Sequence, residues 1–193
     1  MAPFQQLEMS EQAQASTRKV LGDRTIYLSR QTPKTDGDSV LADLGSARFG
    51  QEQYEGDVMP LVYRAPEVIL GMRWSSKVDI WSVGVMVWDL LEGKRLFLNK
   101  KDGVNDDEQH LTEMVALIGP PPLEFLRRSK WLGSVAVPTT SLEERVTQLE
   151  GQDKALLLGF VRRALRWLPE ERPPADEIVY DGWLMQRYSE LDA

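Results

Sequence analysis

The run from Ser76 to Gly93, SKVDIWSVGVMVWDLLEG, constrains the fold of this chain more than any other stretch. Ser76 precedes Lys77, Val78 and Asp79 in a Ser-x-x-Asp pattern that predicts a capped helix start, and Gly93 predicts the stop. Between them Val78, Ile80, Trp81, Val83, Val85, Met86, Val87, Trp88, Leu90 and Leu91 cannot share one stripe. A soluble helix that is apolar nearly all round is the buried centre of a domain, so the other helices are expected to pack around this one. Asp79 stands against that pattern. It is either a first-turn acid favoured by the helix dipole or a buried acceptor that needs several donors.

Asp43-Leu44-Gly45 follows a short predicted strand, Val40–Ala42, and a loop-like stretch leads from it to Tyr63-Arg64-Ala65-Pro66-Glu67. With Asp79-Ile80-Trp81-Ser82-Val83-Gly84 and Arg172 in LPEERPPADEI, these make four motifs in order. Together they resemble the C-terminal lobe of a eukaryotic protein kinase. Asp43-Leu44-Gly45 is similar to the metal-binding Asp-Phe-Gly motif, and Ala65-Pro66-Glu67 to the motif that closes the activation segment. Tyr63–Val68 and the later HLTEMVALIGPPP resemble the branch that holds cyclin-dependent, mitogen-activated and SR-protein kinases. RKVLGDRTIYLSR leading into VLADLGSA is most similar to fungal SR-protein-kinase-like serine/threonine kinases.

The resemblance implies a mainly α fold: helices around the buried central helix 76–93, with a short β element near the N-terminus and no N-terminal ATP-binding lobe. Residues 1–38 are expected to be an extension leading from a missing catalytic loop, and 39–193 the lobe, with the activation segment at 43–67. ATP and Mg²⁺ are the implied cofactors, Asp43 being the implied metal ligand and Asp43 with Gly45 the implied nucleotide contact. Glu67 is expected to pair with Arg172 in a partly buried bidentate salt bridge. Pro60, Tyr63 and Arg64 fall in the implied substrate loop. Asp79 would accept hydrogen bonds from the catalytic loop.

Other parts of a kinase are absent from this sequence. No Gly-rich loop, Val-Ala-x-Lys strand or His-Arg-Asp loop precedes Asp43, and the only asparagines are Asn99 and Asn105, so no catalytic residue is assigned. Pro60 stands where relatives place a threonine, and proline has neither that hydroxyl nor a backbone N–H. Two readings follow. One is a serine/threonine kinase domain, inactive as this fragment, whose complete relative phosphorylates serine in Arg/Ser-rich proteins. The other is a pseudokinase remnant that serves as a protein-binding module. With Asp79 deprived of its donors, at a cost on the order of 1–3 kcal/mol, and one apolar face uncovered, the chain is expected to be marginally stable or prone to aggregate.

The formal net charge of −7 argues against nucleic-acid or acidic-membrane partners and suits a basic protein partner, Arg/Ser-rich by the resemblance. There are no cysteines, and no apolar run approaches the roughly 18 residues of a membrane span. An intracellular protein of the cytoplasm or nucleus is expected.

The remaining pattern predicts a weak helix over 1–16 interrupted at Ser10, a strand over Thr25–Ser29 and loops over Gln31–Asp38 and Gly50–Asp57. Ser46, Tyr54 and Tyr63 are its candidate phosphate acceptors, although a solvated acidic loop without a switch fits the composition better. Further helices are expected over Glu108–Ile118, Leu123–Trp131 and Lys154–Trp167, the last ended by Pro169, with a final one from Ala175. His110, the single histidine, has no ligand-spaced partner and reads as a packing or surface residue, and the six tryptophans read as core.

Overall fold

Gly93 stops the central helix as its conformation requires: its φ of 64° is left-handed, and its N–H caps the helix by donating to Asp89 O. The helix itself, α3, spans Lys77–Glu92. In this computed structural model residues 3–27, 42–50, 53–129, 131, 133 and 136–191 are described. They divide into two compact units, 1–47 and 48–193.

The first unit contains helix α1, Pro3–Ala13, which runs through Ser10 rather than breaking there. One serine in a helix costs only a few tenths of a kcal/mol relative to alanine. The Glu11 carboxylate then accepts the Ser16 N–H and hydroxyl, both at 2.7 Å, as the chain leaves the helix. The expected strand is β2, Arg24–Tyr27, antiparallel to a strand the sequence pattern did not reveal, β1, Arg18–Leu21. The two-residue turn between them begins at Gly22, whose φ of 48° glycine adopts freely. The alternation of β1 is hidden because its side chains, Arg18 and Lys19 among them, are solvated rather than packed. The predicted loop 31–38 and the Val40–Leu41 part of the predicted strand lie outside the described residues, and Ala42 is not in a strand.

The second unit is mainly α. Helices α2 (Pro66–Ile69), α3, α4 (Asp107–Ile118), α5 (Leu123–Ser129), α6 (Leu142–Arg145), α7 (Gly151–Ala164), α8 (Ala175–Ile178) and α9 (Gly182–Leu191) surround one core. A short antiparallel hairpin, β3 (Lys100–Lys101) with β4 (Val104–Asn105), lies in the charged stretch between α3 and α4. Trp81, Trp88, Phe97, Phe125 and Phe160 are each at most 1% exposed and fill the centre. Four of the six tryptophans are buried there, and Trp131 and Trp183 are half-buried against it.

Helix α3 meets α7 at Gly84, where a β-carbon would come within 2.8 Å of the Ala164 Cβ. The glycine lets two backbones approach at the middle of the core.

Three details correct the sequence reading of these helices. Ser76 does not cap α3: it is already in the right-handed helical region (φ −52°, ψ −13°), where its hydroxyl cannot face the first-turn N–H groups. Backbone bonds from Val78 N to Ser75 O and Asp79 N to Ser76 O, both 3.1 Å, tighten that turn instead. The side of α3 carrying Val78, Trp81, Val85 and Trp88 is buried, whereas Asp79, Met86 and Leu90 are exposed, Leu90 at 76%. Asp79 is therefore not the buried acceptor considered above, although the atoms packed around it desolvate its carboxyl and raise its pKa. Finally, α7 ends at Ala164, with Leu165 its C-cap, rather than running to Trp167, and the last helical stretch is divided into α8 and α9 at Asp181, whose carboxylate accepts the Trp183 N–H.

The one-turn helix α6 was missed although its signal is complete. Ser141 and Glu144 form a reciprocal capping box, Glu144 N donating to Ser141 Oγ and Ser141 N to Glu144 Oε2.

Candidate functional site: the segment from Tyr54 to Glu67

The chain enters this segment through Tyr54, which forms an isolated antiparallel bridge with Trp74. The two backbones exchange hydrogen bonds at 2.8 and 2.9 Å, the rings lie 5.2 Å apart, and Trp74 Nε1 donates to Gly56 O. What composition presents as a loose acidic loop is thus pinned from residue 54 onward. Tyr54 Oη donates to Phe49 O at 2.9 Å, within the same unit.

Met59 then takes a left-handed conformation, φ 71°, a costly geometry for a non-glycine residue. Arg64 supports it from inside the turn: its Nε donates to Met59 O at 3.3 Å and its Nη2 to the Asp57 carboxylate at 3.2 Å. Pro60, with φ near the value its ring enforces, heads the 3-10 turn Leu61–Tyr63, and its carbonyl accepts the Tyr63 N–H. Ala65 is the N-cap of α2 and Pro66 its first residue.

Glu67 lies in that first turn and is completely buried. Arg172 Nη1 and Nη2 donate to its two carboxylate oxygens at 2.6 and 2.7 Å, and both side chains are 0% exposed. The expected pair is more deeply enclosed than the part-buried bridge read from the sequence. Arg172 also donates through Nε to Arg166 O at 2.9 Å and through Nη1 to Lys77 O at 3.1 Å, and the guanidinium lies 5.1 Å from the Trp81 ring. One cation thus ties the end of the loop to the start of α3.

Tyr63 is held by residues no motif pointed to. Its hydroxyl donates to Asp89 Oδ2 at 3.1 Å and accepts from Arg95 Nη1 at 2.6 Å, while Arg95 also reaches Asp89 at 2.7 Å and lies over the Tyr63 ring. The Asp89 hydrogen bond and then Tyr63 stabilise the Arg95 cation, raising its pKa. Asp89 could have been suspected as a carboxylate on a helix otherwise apolar around it; Arg95 carries no such signal. Behind the loop, His110 is fully buried against the Phe97 ring at 5.0 Å, with neither ring nitrogen hydrogen-bonded. Burial, and next the charge of Arg64, lower its pKa to about 4, so it is a neutral packing residue.

Asp43 belongs to the first unit. It is exposed, with φ 60° and ψ 51°, at the head of the 3-10 turn Leu44–Ser46, and its carboxylate caps nothing. Such a free carboxylate fits one ligand position of a Mg²⁺ held otherwise by phosphates and water. Gly45 follows within the turn, and a β-carbon there would meet the Asp43 carboxylate at 3.9 Å, ordinary contact. Among the described residues no group of three or more acidic, histidine or cysteine side chains could hold a metal ion.

The model of the protein kinase domain matches residues 32–184. The chain belongs to the protein kinase family. It is 44% identical over 94% of its length to a serine/threonine protein kinase of Aspergillus fumigatus, covering 50% of that relative. It is 30% identical to human dual specificity tyrosine-phosphorylation-regulated kinase 3 over 74% of the chain and 29% of the relative. It is 39% identical to the serine/threonine-protein kinase SRPK of Physarum polycephalum over 46% of the chain and 21% of the relative. The chain spans about half the length of the Aspergillus relatives it matches. These likenesses fall in the branch named from the sequence, and the mainly α architecture is that of the kinase helical lobe.

Proposed function

We propose that these residues are the substrate-holding helical lobe of a serine/threonine protein kinase of the SR-protein-kinase-like type. The observation that carries this reading is the buried Glu67–Arg172 pair, which fixes the end of the activation segment and leaves Pro60–Arg64 as a braced loop. A kinase needs such a platform because phosphoryl transfer depends on holding the acceptor hydroxyl in line with the phosphate. The formal charge of −7 favours a basic protein substrate, and the likeness to SRPK supports an Arg/Ser-rich one.

Mg·ATP would supply the transferred phosphoryl group, with Asp43 as one metal ligand. A general base and a phosphate-binding lysine at the usual motifs do not occur in the sequence, so the 193 residues by themselves are expected to transfer no phosphate. Pro60 favours the second reading, a non-catalytic module that binds proteins, since it cannot offer the threonine hydroxyl that braces a catalytic aspartate.

The test is the intact mass of the protein captured from its natural source with an antibody to its C-terminal peptide. A mass well above 22.0 kDa, with peptides that read His-x-Asp upstream of Arg18, supports the kinase reading. A mass near 22.0 kDa overturns it in favour of the binding module.

A further inference from the structure

The turn that follows α3 is gripped from a distant part of the sequence. Arg145, in α6, donates through Nη1 to Leu96 O at 2.5 Å and through Nη2 to Arg95 O at 2.6 Å. No carboxylate among the described residues pairs with it, so its charge-assisted bonds are spent on those two backbone carbonyls. Helix α6 is itself fixed at both ends. The Ser141–Glu144 capping box holds its start. At its exit the buried Glu92 carboxylate accepts the Thr147 N–H, the Thr147 hydroxyl at 2.7 Å and the Gln148 N–H.

The gripped turn leads directly to the loop assigned above to substrate. Arg95, whose carbonyl Arg145 holds, sends its own guanidinium to Tyr63 Oη and Asp89 Oδ2, and the other Asp89 oxygen accepts the Leu96 N–H at 2.8 Å. Leu96, whose carbonyl Arg145 also holds, is 0% exposed, so the turn cannot shift without disturbing the core. Each contact in this series has its partner's backbone or carboxylate fixed by a further bond.

We propose that Arg145 and Arg95 are positioning residues acting in series, through which the Ser141–Gln148 segment sets the placement of Tyr63 and hence of the substrate loop. The proposal rests on the reading of Pro60–Arg64 as a substrate loop. Whatever binds or modifies the Ser141–Gln148 segment then alters substrate affinity without touching the loop.

The test is amide hydrogen exchange by NMR on the full 193-residue chain. The reporters are the Tyr63 and Arg64 amides, which are bonded to Pro60 O and Leu61 O. Arg95→Gln and Arg145→Gln each remove two charge-assisted hydrogen bonds and are each expected to speed their exchange at least about tenfold. The double variant is expected to exchange no faster than Arg95→Gln, as residues in series require, and Arg145→Lys to recover part of the protection. Arg162→Gln, which removes the exposed pair from Arg162 to Glu143 of the same helix, is expected to leave both amides unchanged.

Exchange at Tyr63 and Arg64 unaffected by Arg145→Gln overturns the proposal. So does a uniform acceleration that includes α7, which marks a merely structural role. Anisotropy of a labelled Arg/Ser-repeat peptide separates this result from the functional reading. Absence of binding to the wild-type chain defeats the substrate-loop assignment while the exchange data still decide whether Arg145 positions Tyr63.

Discussion

Glu67→Ala is the most severe single test of how this lobe is held together. The substitution removes both acceptors from a guanidinium that is 0% exposed, so Arg172 loses bonds of 2.6 and 2.7 Å and cannot reach water. It keeps Arg166 O, Lys77 O and the Trp81 face, which limits the damage to the two donors left behind. Breaking a buried pair by removing one partner costs roughly 3–5 kcal/mol. That is a large fraction of the roughly 5–15 kcal/mol by which a domain is stable. For a unit of this size it lowers Tm by on the order of 10 °C. Denaturant titration of the wild type, Glu67→Ala, Arg172→Met and the combination Glu67→Leu with Arg172→Met gives the measurement. The combined variant is expected to be more stable than the two single losses added together, because it leaves no charge stranded. A Glu67→Ala loss below about 1 kcal/mol, the range of an exposed pair, would refute the reasoning.

Gly84→Ala should destabilise by about 1–3 kcal/mol through overpacking, since the new methyl would come within 2.8 Å of the Ala164 Cβ; pairing it with Ala164→Gly, read by thermal melts, should recover part of the loss. Acid should unfold the chain through His110, whose folded pKa of about 4 lies below its ordinary 6.5, so the unfolded chain binds the proton more tightly. Stability from this group is complete above pH 6.5 and lost as pH falls toward 4, by about 3 kcal/mol in all. His110→Gln, in denaturant titrations at pH 7 and pH 4, should show a smaller drop between the two than the wild type. Leu90→Lys changes a side chain that is 76% exposed, so stability should stay within about 0.5 kcal/mol while self-association in sedimentation velocity decreases. Unchanged self-association would show that the uncovered side of α3 is not what makes chains adhere.

Much of the lobe was legible because its signals are local. The apolar density of 78–91 announced a central helix, Gly93 announced its end, and the spacing in Glu108–Ile118 announced α4. The four ordered motifs named the family, and Glu67 and Arg172 were paired through them although 105 residues separate them. What remained hidden depends on packing. Ser76 has the right neighbours for a cap and fails because its own backbone is already helical. The strand β1 could not be seen because its side chains are solvated, and without a buried face the alternation that marks a strand is lost.

The sequence by itself determined the helical character of the lobe, its central element and the chemistry of the Ala65-Pro66-Glu67 residues that open α2. Propensity, periodicity and motif spacing are properties of neighbours along the chain, and they survive without any fold. Only the tertiary structure decided which side of α3 is covered, that the Glu67–Arg172 pair is sealed from water, that Asp89 and Arg95 converge on Tyr63, and that Arg145 holds the carbonyls of Arg95 and Leu96. Asp89 and Arg95 lie close together in the chain, but Tyr63 and Arg145 are 32 and 50 residues from Arg95, and their meeting depends on how the helices and the turns between them pack. Desolvation, which turns an ordinary ion pair into a structural lock and an ordinary histidine into a neutral one, exists only once that packing has formed.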